Sequence, residues 1–114
     1  MLFTEFLIKN NIDPVQYMII AKKNAKKYIL NPDNLHFSDK PKYKLYYDNN
    51  GDKIYFGGNM YFDFIIYNIL ERRKKFAKGF ANKRKALYRA RAMKMEGDWV
   101  DKLSKNNLAI HILW

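Results

Sequence analysis

Apolar residues recur with a helical period at the start of the chain, form strand-like runs in the middle, and return to a helical period towards the end. Thr4 is placed to cap a first short helix that runs to about Lys9. In "DPVQ", Asp13 predicts the cap of a second helix, Pro14 fits its first position and Gln16 falls at the capping-box position. Val15, Met18, Ala21, Ala25 and Ile29 follow at helical spacing and predict its core face. Lys22, Lys23, Lys26 and Lys27 cluster on another side. "NPDN" at 31–34 ends the helix, because Pro32 disfavours helical geometry at Asn31.

The middle reads as a β-hairpin. "YKLYYD" and "KIYF" are rich in aromatic β-formers and flank "DNNGD", where Asn50-Gly51 supplies the positive φ angles of a tight turn. "FGGN" at 56–59 breaks the second strand. It lacks the Lys-Ser/Thr of a P-loop and the third glycine of a dinucleotide fingerprint, so it reads as a turn.

"MYFDFIIYNILERRKKF" is apolar enough for a buried strand. Its length, with Asn59 as cap and Gly79 as stop, predicts a helix with Arg72 to Lys75 in its last turns, where positive charge complements the dipole. Asp63 is the only charge among its apolar residues, and is expected to cap or to pair with a cation such as Arg84 or Arg89. The next helix is predicted from Asn82 to Met95. Ala86, Leu87, Ala90 and Met93 form its buried stripe, with Arg84, Tyr88 and Arg91 together on an exposed side. "EGD" at 96–98 ends it. Ser104 caps a last element, "NNLAIHILW", which is apolar on all sides and predicts a buried helix anchored by Trp114, with His111 in the core. The competing reading makes this tail an exposed anchor for a second copy of the chain, a homodimer. Together these elements predict an α+β fold: one small domain, mainly helical, with one β-hairpin.

Composition sharpens this picture. At 48% hydrophobic and 17% aromatic over 114 residues, the chain is too apolar for a disordered basic tail and long enough for one core. No apolar run approaches the roughly 18 residues that cross a bilayer. The opening "MLFTEFLIKN" has no basic stretch ahead of its apolar residues, unlike a secretory signal. Cysteine is absent, so no disulfide or thiolate site forms. His36 and His111 stand apart without paired ligands, and no metal or cofactor is expected.

Charge changes the picture most. "ERRKKFAKGFANKRKALYRARAMK" at 71–94 holds eleven basic residues, all five arginines among them, and one acid, Glu71, for a net +10. The other ninety residues hold eleven bases and ten acids, a net +1. A concentrated charge of this kind predicts a surface for phosphates, acidic protein or anionic lipid. The lipid reading fits least, because the arginines alternate with alanines and one leucine and not with a broad Trp/Phe/Leu face. Arginine forks grip phosphate oxygens and stack on bases, and lysines make point contacts. The expected nucleic-acid surface is Arg72, Arg73, Lys74, Lys75, Lys78, Lys83, Arg84, Lys85, Tyr88, Arg89, Arg91 and Lys94, widened by Lys22, Lys23, Lys26 and Lys27. Double-stranded DNA bound without strong sequence preference is the partner this predicts, since no base-reading motif is present.

Two resemblances add to this. "KLYYDNNGDKIYFGG" is similar to the paired tyrosine-bearing strands of GIY-YIG nucleases, with Tyr46 or Tyr47 and Tyr55 as the tyrosines. The first glycine of that pattern is absent, and neither Glu71 nor Glu96 suits the metal-binding glutamate. Over residues 14–114, "LHFSDKPKYKLYYD", "FGG…DFIIY", "KRKALYRARA" and "S-x-N-x-LA-x-x-ILW" resemble a family of small basic proteins of nucleocytoplasmic large DNA viruses, marseillevirus-like giant viruses in particular. That resemblance implies a small basic viral protein packaged in the virion; it brings no catalytic residues. Taken with the basic segment, the expectation is a DNA-binding protein that condenses or organises a viral genome, found in the virion and in host cytoplasm or nucleus. The rival expectations are a virion scaffold whose basic face meets acidic protein, and a nuclease.

Overall fold

Asp13 accepts the Val15 N–H at 3.0 Å and starts helix α2, Pro14–Lys27, as the sequence predicts. The computed structural model describes residues 1–114. Gln16 makes no capping-box bond. The core face of α2 is Tyr17, Ala21 and Ala25, with Met18 half-buried, whereas Val15 and Ile29 are exposed. The face is rotated because the Tyr17 hydroxyl finds a buried partner, described below. The preceding helix α1, Phe3–Lys9, begins before Thr4: Leu2 is its cap residue, and the Leu2 N–H donates to the Glu5 carboxylate.

After a single 3₁₀ turn at Pro32–Asn34 comes a strand absent from the sequence prediction, β1 (Leu35–Phe37). It pairs antiparallel with β2 (Tyr43–Asn49), which pairs antiparallel with β3 (Asp52–Gly58). The hairpin is therefore part of a three-stranded sheet ordered β1-β2-β3. Asn50 and Gly51 take φ of 54° and 90° at its turn, as expected. Leu35, Leu45 and Phe56 line its core face. Alternation breaks at Lys44, which is buried next to Leu45.

Lys44 turns inward to Asp63, Nζ to Oδ2 at 2.9 Å, with the two side chains 3% and 0% exposed. The same oxygen accepts the Tyr17 hydroxyl at 2.5 Å, and Oδ1 accepts the Ile66 N–H at 2.9 Å. Asp63 thus caps helix α3, Phe64–Arg72, in place of Asn59, and pairs with Lys44 in place of Arg84 or Arg89. Buried Asn59 donates to the carbonyls of Met1 and Pro41. Helix α3 stops where Lys74 takes φ of 61°, so only Arg72 of the basic run lies in its last turn. Gly79, at φ 90°, opens helix α4 (Phe80–Ala92) and does not end α3. Ser104 caps α5, Lys105–Leu108, which continues as a wider π-helical turn through Leu113.

The fold is α+β, mainly helical, around eighteen buried residues contributed by every major element except α4. Leu108, Ile112 and Leu113 are buried, so the tail is core and not an exposed anchor. Each such side chain contributes about 1.5–3 kcal/mol. Gly57 makes room for it: with φ of 81°, a Cβ there would lie 2.7 Å from the Leu113 side chain. The "FGG" segment does not break the strand as the sequence suggests: β3 runs through Gly58 and the turn starts only at Asn59, so Gly57 is a close-packing device inside the strand. No helix is long and apolar enough to cross a membrane.

Lys44→Met alone is expected to destabilise the protein by about 3–5 kcal/mol, because it leaves Asp63 buried without its cation. Lys44→Met combined with Asp63→Asn should cost less than the two single changes added together. Urea unfolding followed by circular dichroism measures all three variants; strict additivity would show that the pair is not coupled.

Candidate nucleic-acid interface

Helix α4 lies on the body with its charged side inward. Ala81 and Ala92 are buried, and Arg84, Lys85, Tyr88 and Arg89 between them are half-buried. The predicted buried stripe is turned outward: Ala86, Leu87, Ala90 and Met93 are exposed, Leu87 at 53% and Met93 at 84%. Helical period located the helix but assigned its faces the wrong way round.

Contacts at both ends and the middle explain the inversion. Glu71, the only acid of the basic segment, accepts the Ala81 N–H at 2.7 Å and ties the end of α3 to the start of α4. Phe80 stacks on Phe76 and meets Tyr67 edge-on. Tyr88 stacks on Trp114 with ring centres 4.1 Å apart and planes within 5°. Arg89 donates to the Ile110 carbonyl at 3.3 Å, and Lys85 lies over the Phe64 ring. The long stems of these cations cover apolar surface that a leucine face would otherwise cover.

This orientation divides the predicted surface. Lys85 and Arg89 enter a cleft of about 440 Å³ between α2, α3 and α4. Lys23 and Lys27 reach it from α2 and Arg72 from the end of α3, with Phe64 and Ile65 among its apolar lining. Five cations from three helices meet there, and no Asp or Glu side chain lines the space. Arg84, Tyr88 and Arg91 border a different cavity across Trp114. Lys22 and Lys26 lie outside the cleft, as do Arg73, Lys74, Lys75, Lys78, Lys83 and Lys94. Arg73 donates to the Asn11 carbonyl, and the other five are exposed.

The electrostatics of the cleft follow from its composition. Burial, then the charges of Arg89 and Lys27, hold the Lys85 ammonium below its ordinary range. The Nε of Arg89 is buried and has no hydrogen-bond partner. A bound anion would answer both, by satisfying a donor and by neutralising crowded positive charge. His111 lines the same cleft, stacked 4.1 Å from Tyr28, so it is a surface residue and not the core histidine expected. Asn24 donates to the Ile112 carbonyl and holds the tail against α2. Neither His111 nor Asn24 carries a sequence signal for this position, which depends on contacts across nearly the whole chain.

The rings of Tyr43, Tyr46 and Tyr55 gather at the sheet, with Tyr55 in contact with both others. The Tyr55 hydroxyl donates to Asp39 at 2.6 Å, and that bond, followed by burial, pushes its pKa up to about 12. No three His, Asp or Glu side chains come together anywhere in the protein. No family model, curated protein or solved structure matches the chain.

The orientation of α4 has a direct check. Leu87→Lys and Met93→Lys should each change stability by no more than about 0.5 kcal/mol, as exposed substitutions do. Ala92→Lys, on the buried side, should lower the melting temperature clearly. The reverse pattern in thermal unfolding would restore the sequence-based orientation.

A second check concerns pH. Burial, then Arg89, holds His111 below its ordinary value of 6.5. Between 6.5 and the folded value the unfolded chain binds a proton that the folded one does not, so stability falls on acidification through this window. Proton NMR of a His36→Gln variant should show His111 titrating below 6.5, and an added polyanion should move the midpoint upward.

Proposed function

We propose that the protein binds double-stranded DNA through its phosphate backbone, without strong sequence preference, at the cleft between α2, α3 and α4. The observation that carries this reading is the convergence of Lys23, Lys27, Arg72, Lys85 and Arg89 on one concavity with no Asp or Glu side chain in its lining. Packing like charges together lowers the stability of the folded chain unless something anionic binds. Lysine and arginine side chains on rigid helices suit the regular spacing of backbone phosphates, and such contacts set position but carry no sequence information.

The resemblance to small basic proteins of giant viruses directs the proposal further, to a virion protein that condenses or organises the genome. An acidic protein could meet the same cations as a scaffold partner; nothing in the lining favours a peptide over a phosphate chain. The nuclease reading loses support at Tyr55, whose hydroxyl is held protonated by Asp39 and is poorly placed to act as a base.

A gel shift with and without Mg²⁺ separates the three. Retarded, intact DNA supports binding, shortened DNA supports a nuclease, and an absent shift leaves the scaffold. Log affinity should fall against log salt with a slope of about −4.5 for five phosphates, steepening towards about −7 if exposed lysines outside the cleft join. Lys23→Ala with Lys27→Ala should flatten that slope by about 2 and weaken binding at low salt. Lys22→Ala with Lys26→Ala should change it less. Equal effects of the two pairs would show that α2 contributes general charge and not one wall of a site.

A further inference from the structure

Across Trp114 from the cleft lies a cavity of about 560 Å³. That volume falls within the range of small-ligand sites, about 300–1,000 Å³. Its walls are aromatic, with Tyr61, Tyr67, Tyr88 and Trp114 among them. Arg84 and Arg91 enter from α4, and no Asp or Glu side chain lines the space. Lys44 reaches it too, but its ammonium is held by Asp63.

Three features mark this as a site for a ligand and not a packing defect. The Nε of Arg84 is buried and unpartnered. Its guanidinium lies 5.5 Å from the centre of the Tyr67 ring, and that of Arg91 lies 5.8 Å from Tyr88. Tyr61 stands 74% exposed at the rim although it is a large ring, and it packs closely on Gly58, where a Cβ would lie 2.9 Å from it. An aromatic ring held open to solvent beside two free guanidinium forks offers a flat surface and an anion clamp together.

That pairing selects among ligand chemistries. An aliphatic ligand would leave the Arg84 donor unsatisfied. An acidic peptide or a bare anion would leave the aromatic walls unused. A nucleotide uses both, because its base has a π-face for stacking and its phosphate accepts from arginine. We infer that this cavity takes a single unpaired nucleotide, with its base against the aromatic wall and its phosphate on Arg84 and Arg91. The nucleotide comes either from a strand, at an end or an unpaired position, or from free nucleoside monophosphate. The inference does not depend on the cleft gripping a duplex.

Trp114 provides the readout. The chain has two tryptophans, so a Trp99→Phe variant of the full chain leaves Trp114 as the only one. Guanosine monophosphate should change its fluorescence saturably, in the micromolar to millimolar range. Inorganic phosphate should bind at least about tenfold more weakly, since it lacks the stacking contribution. A short 5′-phosphorylated oligonucleotide that binds more tightly than the monophosphate identifies a strand as the source. Equal affinity identifies the free nucleotide. Tyr61→Ala and Arg91→Gln, both at exposed positions, should each weaken binding by about tenfold with an unchanged melting temperature. Lys27→Ala with Lys85→Ala should leave this affinity unaltered, which distinguishes the cavity from the cleft. An absent saturable response, phosphate binding as tightly as the monophosphate, or full affinity in Tyr61→Ala would overturn the inference.

Discussion

The carboxylate of Asp63 holds the helical and sheet layers together. It is wholly buried and receives three donors from three elements: the Tyr17 hydroxyl of α2, the Lys44 ammonium of β2 and the Ile66 N–H of α3. A lone carboxylate at this depth would cost several kcal/mol in lost hydration. None of the three donors has another hydrogen-bond acceptor, so the arrangement is stable only as a unit. Burial pushes Lys44 below its ordinary range while Asp63 pulls it back. Burial and the neighbouring charge push Tyr17 well up, which keeps its hydroxyl protonated and donating. Removing either partner therefore exposes the other to the full desolvation cost, even though the intact network need not be more stable than an apolar one of the same volume.

From Asp63 the order of causes runs along α3. Its cap fixes the first turn of the helix, and Glu71 at the other end accepts the Ala81 N–H and fixes the first turn of α4. With that start set, the Tyr88–Trp114 stack and the Arg89 bond to Ile110 settle which side of α4 faces the body. The side chosen is the charged one. This places cations near one another without acids between them, and leaves Leu87 and Met93 in water. Both consequences lower stability. A fold that accepts them carries a stretch whose sequence is set by something besides its own packing.

Much of the fold was legible because its signals are local. Asp13-Pro14, Asn50-Gly51 and Ser104 each specify a backbone conformation through atoms a few residues away, and each appears where the sequence places it. Strand β1 was not legible, since the three residues "LHF" are too short to show a period. The face of α4 was misread because the rule that apolar residues point inward ignores the apolar stems of lysine and arginine. The concentration of charge in 71–94 could be read directly, but its division between two cavities could not. Lys27 and Lys85 share a cleft only because α2 and α4 pack around α3 and the tail, a relation that no spacing along the chain encodes. Likewise Asp63 announced itself as an oddity, while its partner Lys44 looked like any alternating strand residue.

The C-terminal turn makes core and candidate site inseparable. Leu113 fills the space that Gly57 leaves open, Asn24 binds the Ile112 carbonyl, His111 stacks on Tyr28, and Trp114 stands between the cleft and the cavity. A change that removes this turn would take away buried Ile112 and Leu113 along with one wall of each space. Loss of binding after such a change would follow equally from unfolding and from a missing contact. The exposed rim residues are different. Lys23, Lys27 and Tyr61 line the two spaces without belonging to the buried cluster, so their side chains reach a ligand while contributing little to the fold. The architecture thus places its separable chemistry at the rim, on α2 and the loop after β3, and builds the walls themselves from residues the fold cannot lose.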